Sequence, residues 1–324
     1  MRKITLVGAA LAALALAALP AHAADKIKLA GVFTVSSALP YYVAEEKGYF
    51  KAADLDVEKI HLQAAPFVVQ ALINGDADAA ANLVSLEAAN INSRRAGTVV
   101  FFAMFGQNRT YHMEQFVVRP DHPAKTMKEM KGGMKLFVSA GPANAAAARA
   151  ALKANGLVEG TDFTIAELPL PQHVGALKAK TFDGGYTLEP FATIAERENA
   201  ARRIEIGVIS TYILKRPDAL SFAAGTGFSQ KFLTEKPAVA KRFADAWARA
   251  IADIEKDGPG IRDLLVKHMN TPAAIAPTMV ILKAKMVRDM TDQETADFQS
   301  FIDFGTEYGI VPSKIDVKTF LSKL

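Results

Sequence analysis

The chain has 324 residues, half of them hydrophobic, a formal net charge of +4 at pH 7 and no cysteine. Lack of cysteine excludes disulfides, thiolate metal sites, thiol nucleophiles and a lipid anchor on a cysteine behind the N-terminal segment. A charge excess this small, and dispersed along the chain, gives no argument for nucleic acid or for an anionic membrane surface as partner.

In chain order, Arg2 and Lys3 precede an apolar run over 4–19, followed by Pro20 and the small-x-small site Ala21-His22-Ala23. This is the pattern of a secretory signal peptide, residues 1–23, cleaved before Ala24. The run holds roughly sixteen residues against the about twenty that span a bilayer, so a transmembrane anchor is the poorer reading. No later segment approaches spanning length. The expected mature protein is soluble, exported and unanchored, which places it in a periplasm, with full secretion as the alternative. Removing Arg2 and Lys3 takes the formal charge from +4 to +2. The remaining chain, about 300 residues, is long enough for two domains.

From residue 27 to 105 the pattern alternates. A strand is expected over 27–33, then a helix with an apolar stripe at Leu39, Tyr42 and Val43 that stops at Gly48, with helical character carried to Lys51. A strand over 55–60 follows, then a helix over 67–73, a strand over 77–81, a helix from Ser85 and a strand over 99–105. A second alternating block has strands over 134–139, 163–168, 182–186 and 203–208. Its helices are expected over 142–155, closed by Gly156, over 173–178 and after Pro190. Such alternation implies parallel sheets covered by helices on both faces, with ligands at the carboxyl ends of the strands. Beyond Phe228 the chain reads as helical, with a strong helix over 237–256 (Val239, Phe243, Ala246, Trp247, Ala250 and Ile254 on one face) and two more over 261–268 and 291–308.

The fold class is therefore α/β, with two lobes in tandem, a cleft between them and a helical C-terminal region. Lobe 1 is expected to comprise 24–116 plus 222–324, and lobe 2 to comprise 117–221. The two extended hinge crossings are placed at 114–119 and 219–225, since short paired crossings make a natural hinge.

Four motifs stand in register along this frame. They are Pro40-Tyr41-Tyr42-Val43-Ala44-Glu45-Glu46-Lys47-Gly48-Tyr49-Phe50, Ala71-Leu72-Ile73-Asn74-Gly75-Asp76-Ala77-Asp78, Ser139-Ala140-Gly141 at a helix start, and Asp183 with Glu189-Pro190. With them the chain resembles the periplasmic solute-binding components of ATP-driven (ABC) importers, in the branch associated with nitrate, taurine, alkanesulfonates and thiamine-pyrimidine precursors. The resemblance covers most of residues 25–225. It implies a type II periplasmic-binding-protein fold, a small-molecule solute as ligand, an inner-membrane ABC permease as partner, and action as a monomer. Relatives that synthesise the thiamine pyrimidine are enzymes, but the resemblance gives them a cysteine-containing signature that this chain lacks. Gly48 and Asn74-Gly75 read as left-handed helix ends, and Asp76 and Asp78 as turn residues at a strand start; these are architectural.

Strand ends place Ser36, Ser37 and Tyr41, with Asn82 and Ser85, on the lobe 1 wall of the cleft. The serines are helix caps, ligand contacts or both. On the lobe 2 wall Ser139, Gly141 and Asn144 begin a long Ala-rich helix whose free N–H groups suit an anionic head group, unless it is simply a capped helix packed on its sheet. His173 and Glu189 sit at the next two strand ends, each a contact or a structural residue. Arg109, in a donor-rich linker, either clamps an acidic solute or is solvated. Tyr41, Tyr111 and Tyr186 offer surface to a ring. The nucleophile-elbow, zincin, P-loop and dinucleotide motifs are absent, and the six histidines have no close pair. No catalytic residue, metal ligand or cofactor is assigned. The expected function is capture of a small organic anion (sulfonate, carboxylate or nitrate-like). The alternatives are a ring-bearing solute such as a pyrimidine precursor or aromatic acid, and a periplasmic sensory module that reports occupancy to a membrane receptor.

Overall fold

The computed structural model describes residues 23–258 and 260–324, so the expected signal peptide, apart from Ala23, lies outside the described residues. The first sheet is built from β1 (Asp25–Gly31), β2 (Leu55–His61), β3 (Ala79–Val84) and β4 (Val99–Gln107). They are joined by helices α1 (Leu39–Glu46), α2 (Tyr49–Ala52), α3 (Ala65–Asn74) and α4 (Ser85–Arg94). Strand β1 pairs in parallel with β2, Asp25 opposite Leu55, and with β3, Leu29 opposite Ala79. Gly48 and Gly75 hold φ of 68° and 78°, the left-handed values needed to turn the chain out of α1 and α3. Asp78 accepts a hydrogen bond from the Lys28 backbone N–H at 2.9 Å, which fixes the start of β3 beside β1.

The second sheet holds β5 (Glu114–Val118), β6 (Met134–Val138), β7 (Phe163–Glu167), β8 (Gly184–Leu188) and β9 (Arg202–Ile206). Its helices are α5 (Pro142–Ala154), α6 (His173–Lys178) and α7 (Phe191–Arg197). Asp183 ties this sheet together, accepting from Arg119 Nη1 at 2.7 Å and from the Lys135 backbone N–H at 2.8 Å. The chain then returns to the first sheet through β10 (Ser221–Ser229). After it come α8 (Gln230–Glu235), α9 (Pro237–Glu255), α10 (Asp263–Met269), the edge strand β11 (Lys283–Met286) and α11 (Asp292–Glu307). The apolar stripe of α9 is buried along its length; Phe243 stacks on Phe50 with ring centroids 5.1 Å apart. A capping box between Thr291 and Glu294 starts α11.

Apart from the edge strand β11, both sheets share one topology. The orders are β11-β4-β10-β3-β1-β2 and β7-β6-β8-β5-β9. In each, the first strand after a crossing, β10 or β5, inserts antiparallel between the lobe's third and fourth strands. This corrects the expected crossings. Residues 114–118 are a central strand of the second sheet, and 221–225 belong to a central strand of the first. The segments that pass between sheets are 108–113 and 207–220. They are fastened to each other: Asn108 Nδ2 donates to the Asp218 carbonyl at 2.9 Å, and the Ser210 and Ser221 hydroxyls donate to the Gln107 carbonyl at 3.0 Å. Gly207, at φ 61°, lies so close to Arg109 that a Cβ would stand 2.7 Å from the Arg109 backbone N.

Candidate functional site

Strand ends of both sheets converge on one cavity, which holds about 100 Å³ of space accessible to the centre of a water-sized sphere. The first sheet and its helices contribute Val32, Val35, Ser37, Gln63, Asn82, Val84, Phe105, Gln107, Leu282 and Phe301. The second contributes Glu114, Ser139, Ala143, Asn144, Leu170, Tyr186 and Leu188, while Met113 and Ile209 come from the crossings. Most of this wall is apolar.

Three polar groups in it have no hydrogen-bond partner although they are buried: Glu114 Oε2, the Tyr186 hydroxyl and the Ser139 hydroxyl. Glu114 opens β5 opposite Leu188 at the end of β8, and its backbone N–H donates to Gln107 Oε1 at 3.3 Å. Burial pushes its carboxyl up to about 7, with Gln107 and Tyr186 opposing the rise. Burial also drives the Tyr186 phenol well above its ordinary value, and the neighbouring Glu114 adds to the rise. The two side chains are close enough for each to shift the other as a hydrogen-bond partner, yet neither Glu114 Oε2 nor the Tyr186 hydroxyl completes a hydrogen bond of good geometry.

A second buried carboxyl, Glu87 in the first turn of α4, reaches across to the second lobe. Its Oε1 lies 3.4 Å from where a Gly141 Cβ would stand, beside the start of α5. Neither oxygen has a hydrogen-bond partner. Burial raises this carboxyl to about 7; the backbone N–H groups of Glu87 and Ala143 moderate the rise. The N-terminus of α5, expected to hold a ligand anion, thus already faces a carboxyl of the protein.

The cavity brings together Ser37, Asn82, Ser139 and Asn144 among the expected contacts. Asn82 is partly committed, since its amide bridges the N–H and carbonyl of Val32 at 2.9 and 2.8 Å. Gly141 borders the site as the N-cap of α5, with φ 125°. Other expected contacts lie elsewhere. Ser36 donates to Met113 Sδ at 3.1 Å, and neither Ser36 nor Ser37 caps a helix through its side chain. Ser85 is not a cap either; its hydroxyl donates to the Phe222 carbonyl at 2.8 Å. Tyr41 is core, its ring 5.0 Å from Phe33 and 5.1 Å from Tyr42. Arg109 is 45% exposed and pairs with Glu205 at 2.9 Å.

His173 is buried outside the cavity lining, held by two hydrogen bonds. Its Nε2 sits 2.9 Å from the Leu168 carbonyl, which only accepts, so Nε2 carries the proton and Nδ1 receives the Thr187 hydroxyl at 2.8 Å. That neutral tautomer agrees with a pKa lowered to about 4 by burial. Glu189, followed by a cis bond to Pro190, accepts from Thr193 Oγ1 at 3.0 Å, the Thr193 N–H at 3.2 Å and Arg203 at 2.9 Å. It binds the end of β8 to α7 and β9, away from the cavity. No group of His, Asp and Glu able to hold a metal ion occurs among the described residues, and no described helix is long and apolar enough to cross a membrane.

This arrangement, two sheets of matched topology closing on one cavity across a double crossing, is the periplasmic-binding-protein fold. The chain belongs to the NMT1-like family, whose model matches residues 22–270. Among solved structures it is similar to the alkanesulfonate-binding protein SsuA from Xanthomonas axonopodis pv. citri bound to MOPS, at 15% identity and TM-score 0.71, covering 92% of this chain and 98% of that one. It is also similar to the periplasmic nitrate-binding protein NrtA from Synechocystis PCC 6803, at 16% identity and TM-score 0.72, covering 92% and 86%. A third similar structure, at 12% identity and TM-score 0.64 over 92% and 96%, is the desulfurization enzyme DSZB. At these identities the likeness concerns the fold. No curated protein matches the chain by sequence.

Proposed function

We propose that this chain is a periplasmic solute-binding protein that captures a small molecule between its lobes and hands it to an ABC permease of the inner membrane, acting as a monomer. The observation that carries this reading is a single cavity lined from both sheets, at the strand ends, and flanked by the paired crossings 108–113 and 207–220. Lobes that rotate about these crossings open the cavity to solvent and close it over a solute. Closure couples occupancy to a shape that a permease can grip. Membership of the NMT1-like family and the names of the similar sulfonate- and nitrate-binding structures support the same class. The chemistry proposed is binding without turnover, since a hinge and an apolar cavity need no cofactor to serve it.

Of the ligand types open from the sequence, the lining supports the ring-bearing one better than the small organic anion. Its wall is mostly apolar and carries a carboxyl where an anion site would need a cation. A thermal-shift screen of sulfonates, aromatic acids, nitrate, thiamine precursors, amines and purines tests the class. A true ligand at a hundred times its Kd adds about 2.7 kcal/mol of stability. Recovery of unchanged solute after incubation supports a binder, whereas its conversion by the protein alone would show an enzyme.

A further inference from the structure

We infer that the cavity selects a solute without negative charge: a mainly apolar, ring-sized body carrying one N–H or ammonium donor, received by the carboxyl of Glu114. The inference rests on the reading of the chain as a solute binder and names the substrate class of that site.

Three observations lead to it. First, the cavity wall contains no Lys or Arg; its one ionisable acid or base besides the Tyr186 phenol is Glu114. Arg109 and Arg203, outside the wall, are paired with Glu205 and with Glu189 and Glu196. An anion entering this cavity would be stripped of water with no cation to receive it, which is strongly unfavourable. Second, the helix start best suited to an anion, that of α5, is faced by Glu87 from the opposite lobe. A ligand anion there would meet the Glu87 carboxyl, whose ionisation burial already disfavours and which the anion would disfavour further.

Third, Glu114 Oε2, the Tyr186 hydroxyl and the Ser139 hydroxyl are buried, unpartnered and in the cavity wall. Buried polar groups in native proteins are hydrogen-bonded, and an exception at a ligand cavity marks where the ligand supplies the partner. Above about pH 7 the Glu114 carboxyl is mainly ionised, and an ionised carboxylate only accepts, so its partner there must donate. The two hydroxyls both donate and accept, and they allow one further polar atom on the same edge of the ligand. Around them Val35, Val84, Phe105, Leu188 and Phe301 leave room for an apolar body.

The test uses four compounds that share a phenyl ring and short linker: phenethylamine, phenylacetamide, phenylacetate and phenylmethanesulfonate. Isothermal titration calorimetry with the exported chain measures each at pH 7.5. The amine or the amide is expected to bind at least about tenfold more tightly than both anions, a difference of about 1.4 kcal/mol. Glu114→Gln is expected to weaken the preferred compound by about tenfold or more, with its circular dichroism and thermal transition retained. Ser139→Ala, which removes one hydroxyl from the same edge, is expected to weaken it less. An anion that binds as tightly as the amine and amide, or a Glu114→Gln protein that binds as wild type does, overturns the inference and leaves a solute binder of another class. Failure of all four to bind overturns the inference together with the reading of this cavity as a solute site.

Discussion

Replacing Glu87 by Gln removes a carboxyl that is buried between the lobes without a hydrogen-bond partner. Its pKa stands at about 7 in the folded protein against an ordinary 4.5, because burial disfavours the charge. Between these values the folded chain holds a proton that the unfolded chain has released. Stability from this group is therefore full below about pH 4.5 and is lost as pH rises through about 7. At 1.36 kcal/mol per unit, the shift amounts to about 3 kcal/mol in all, most of which falls between pH 5 and pH 8. Glu114 adds a loss of the same sign, and His173 acts in the opposite direction, but both are common to wild type and variant. The difference in unfolding free energy, Glu87→Gln minus wild type, should thus grow by about 2 to 3 kcal/mol from pH 5 to pH 8. Urea unfolding followed by tryptophan fluorescence measures it, since the one tryptophan, Trp247, is fully buried. A difference that stays constant across this range would refute the placement of Glu87 as a buried carboxyl at the start of α5.

Other perturbations have defined outcomes. Gly207→Ala forces a Cβ to 2.7 Å from the Arg109 backbone N at a positive φ, and should lower the urea midpoint by an amount equivalent to about 1 kcal/mol or more. His173 is neutral in the fold, with its pKa lowered to about 4, so its share of stability is present above about pH 6.5 and lost as pH falls toward 4. Its imidazole resonances in a pH titration by NMR should stay at the neutral position through pH 5, whereas a midpoint near 6.5 would contradict the assignment. Arg109→Ala should leave solute affinity within about twofold and stability within about 1 kcal/mol, because its ion pair with Glu205 is at the surface. Calorimetry and urea unfolding check both.

Much of the frame was legible because it is local. Strand and helix periods, Gly48 and Gly75 at helix ends and the buried face of α9 follow from spacing and turn chemistry alone. The crossings were misplaced because 114–118 and 221–225 were read as extended links. Extended chain and central strand look alike until the partner strand is known, and those partners, β8 with β9 and β3 with β4, are distant in sequence. The site divides in the same way. Ser37, Asn82, Ser139 and Asn144 were expected at strand ends, and the cavity lining includes them. His173, Glu189 and Arg109 were left open between contact and structural residue, because the partners that hold them, Thr187, Arg203 and Glu205, come from the tertiary fold.

Glu87 and Glu114 were missed since a lone carboxylate has no motif. A weak signal was present in each case. Glu114 leads into the apolar run Phe116-Val117-Val118, and Glu87 stands in Leu86-Glu87-Ala88-Ala89 with no cation three or four residues on, where Asn90 and Ile91 follow. An acid among apolar neighbours without a helical ion-pair partner is one that the fold buries or uses.

The central claim, solute capture by closure of two lobes, is tested most directly by the distance between them. Because the chain has no cysteine, Gln70→Cys on α3 and Lys153→Cys on α5, both exposed, accept a spin-label pair without competing sites. Pulsed electron resonance should give a broad distribution extending to longer distances in the free protein, and a single shorter distance when a solute that binds by calorimetry is saturating. A distribution that the bound solute leaves unchanged would contradict capture by closure.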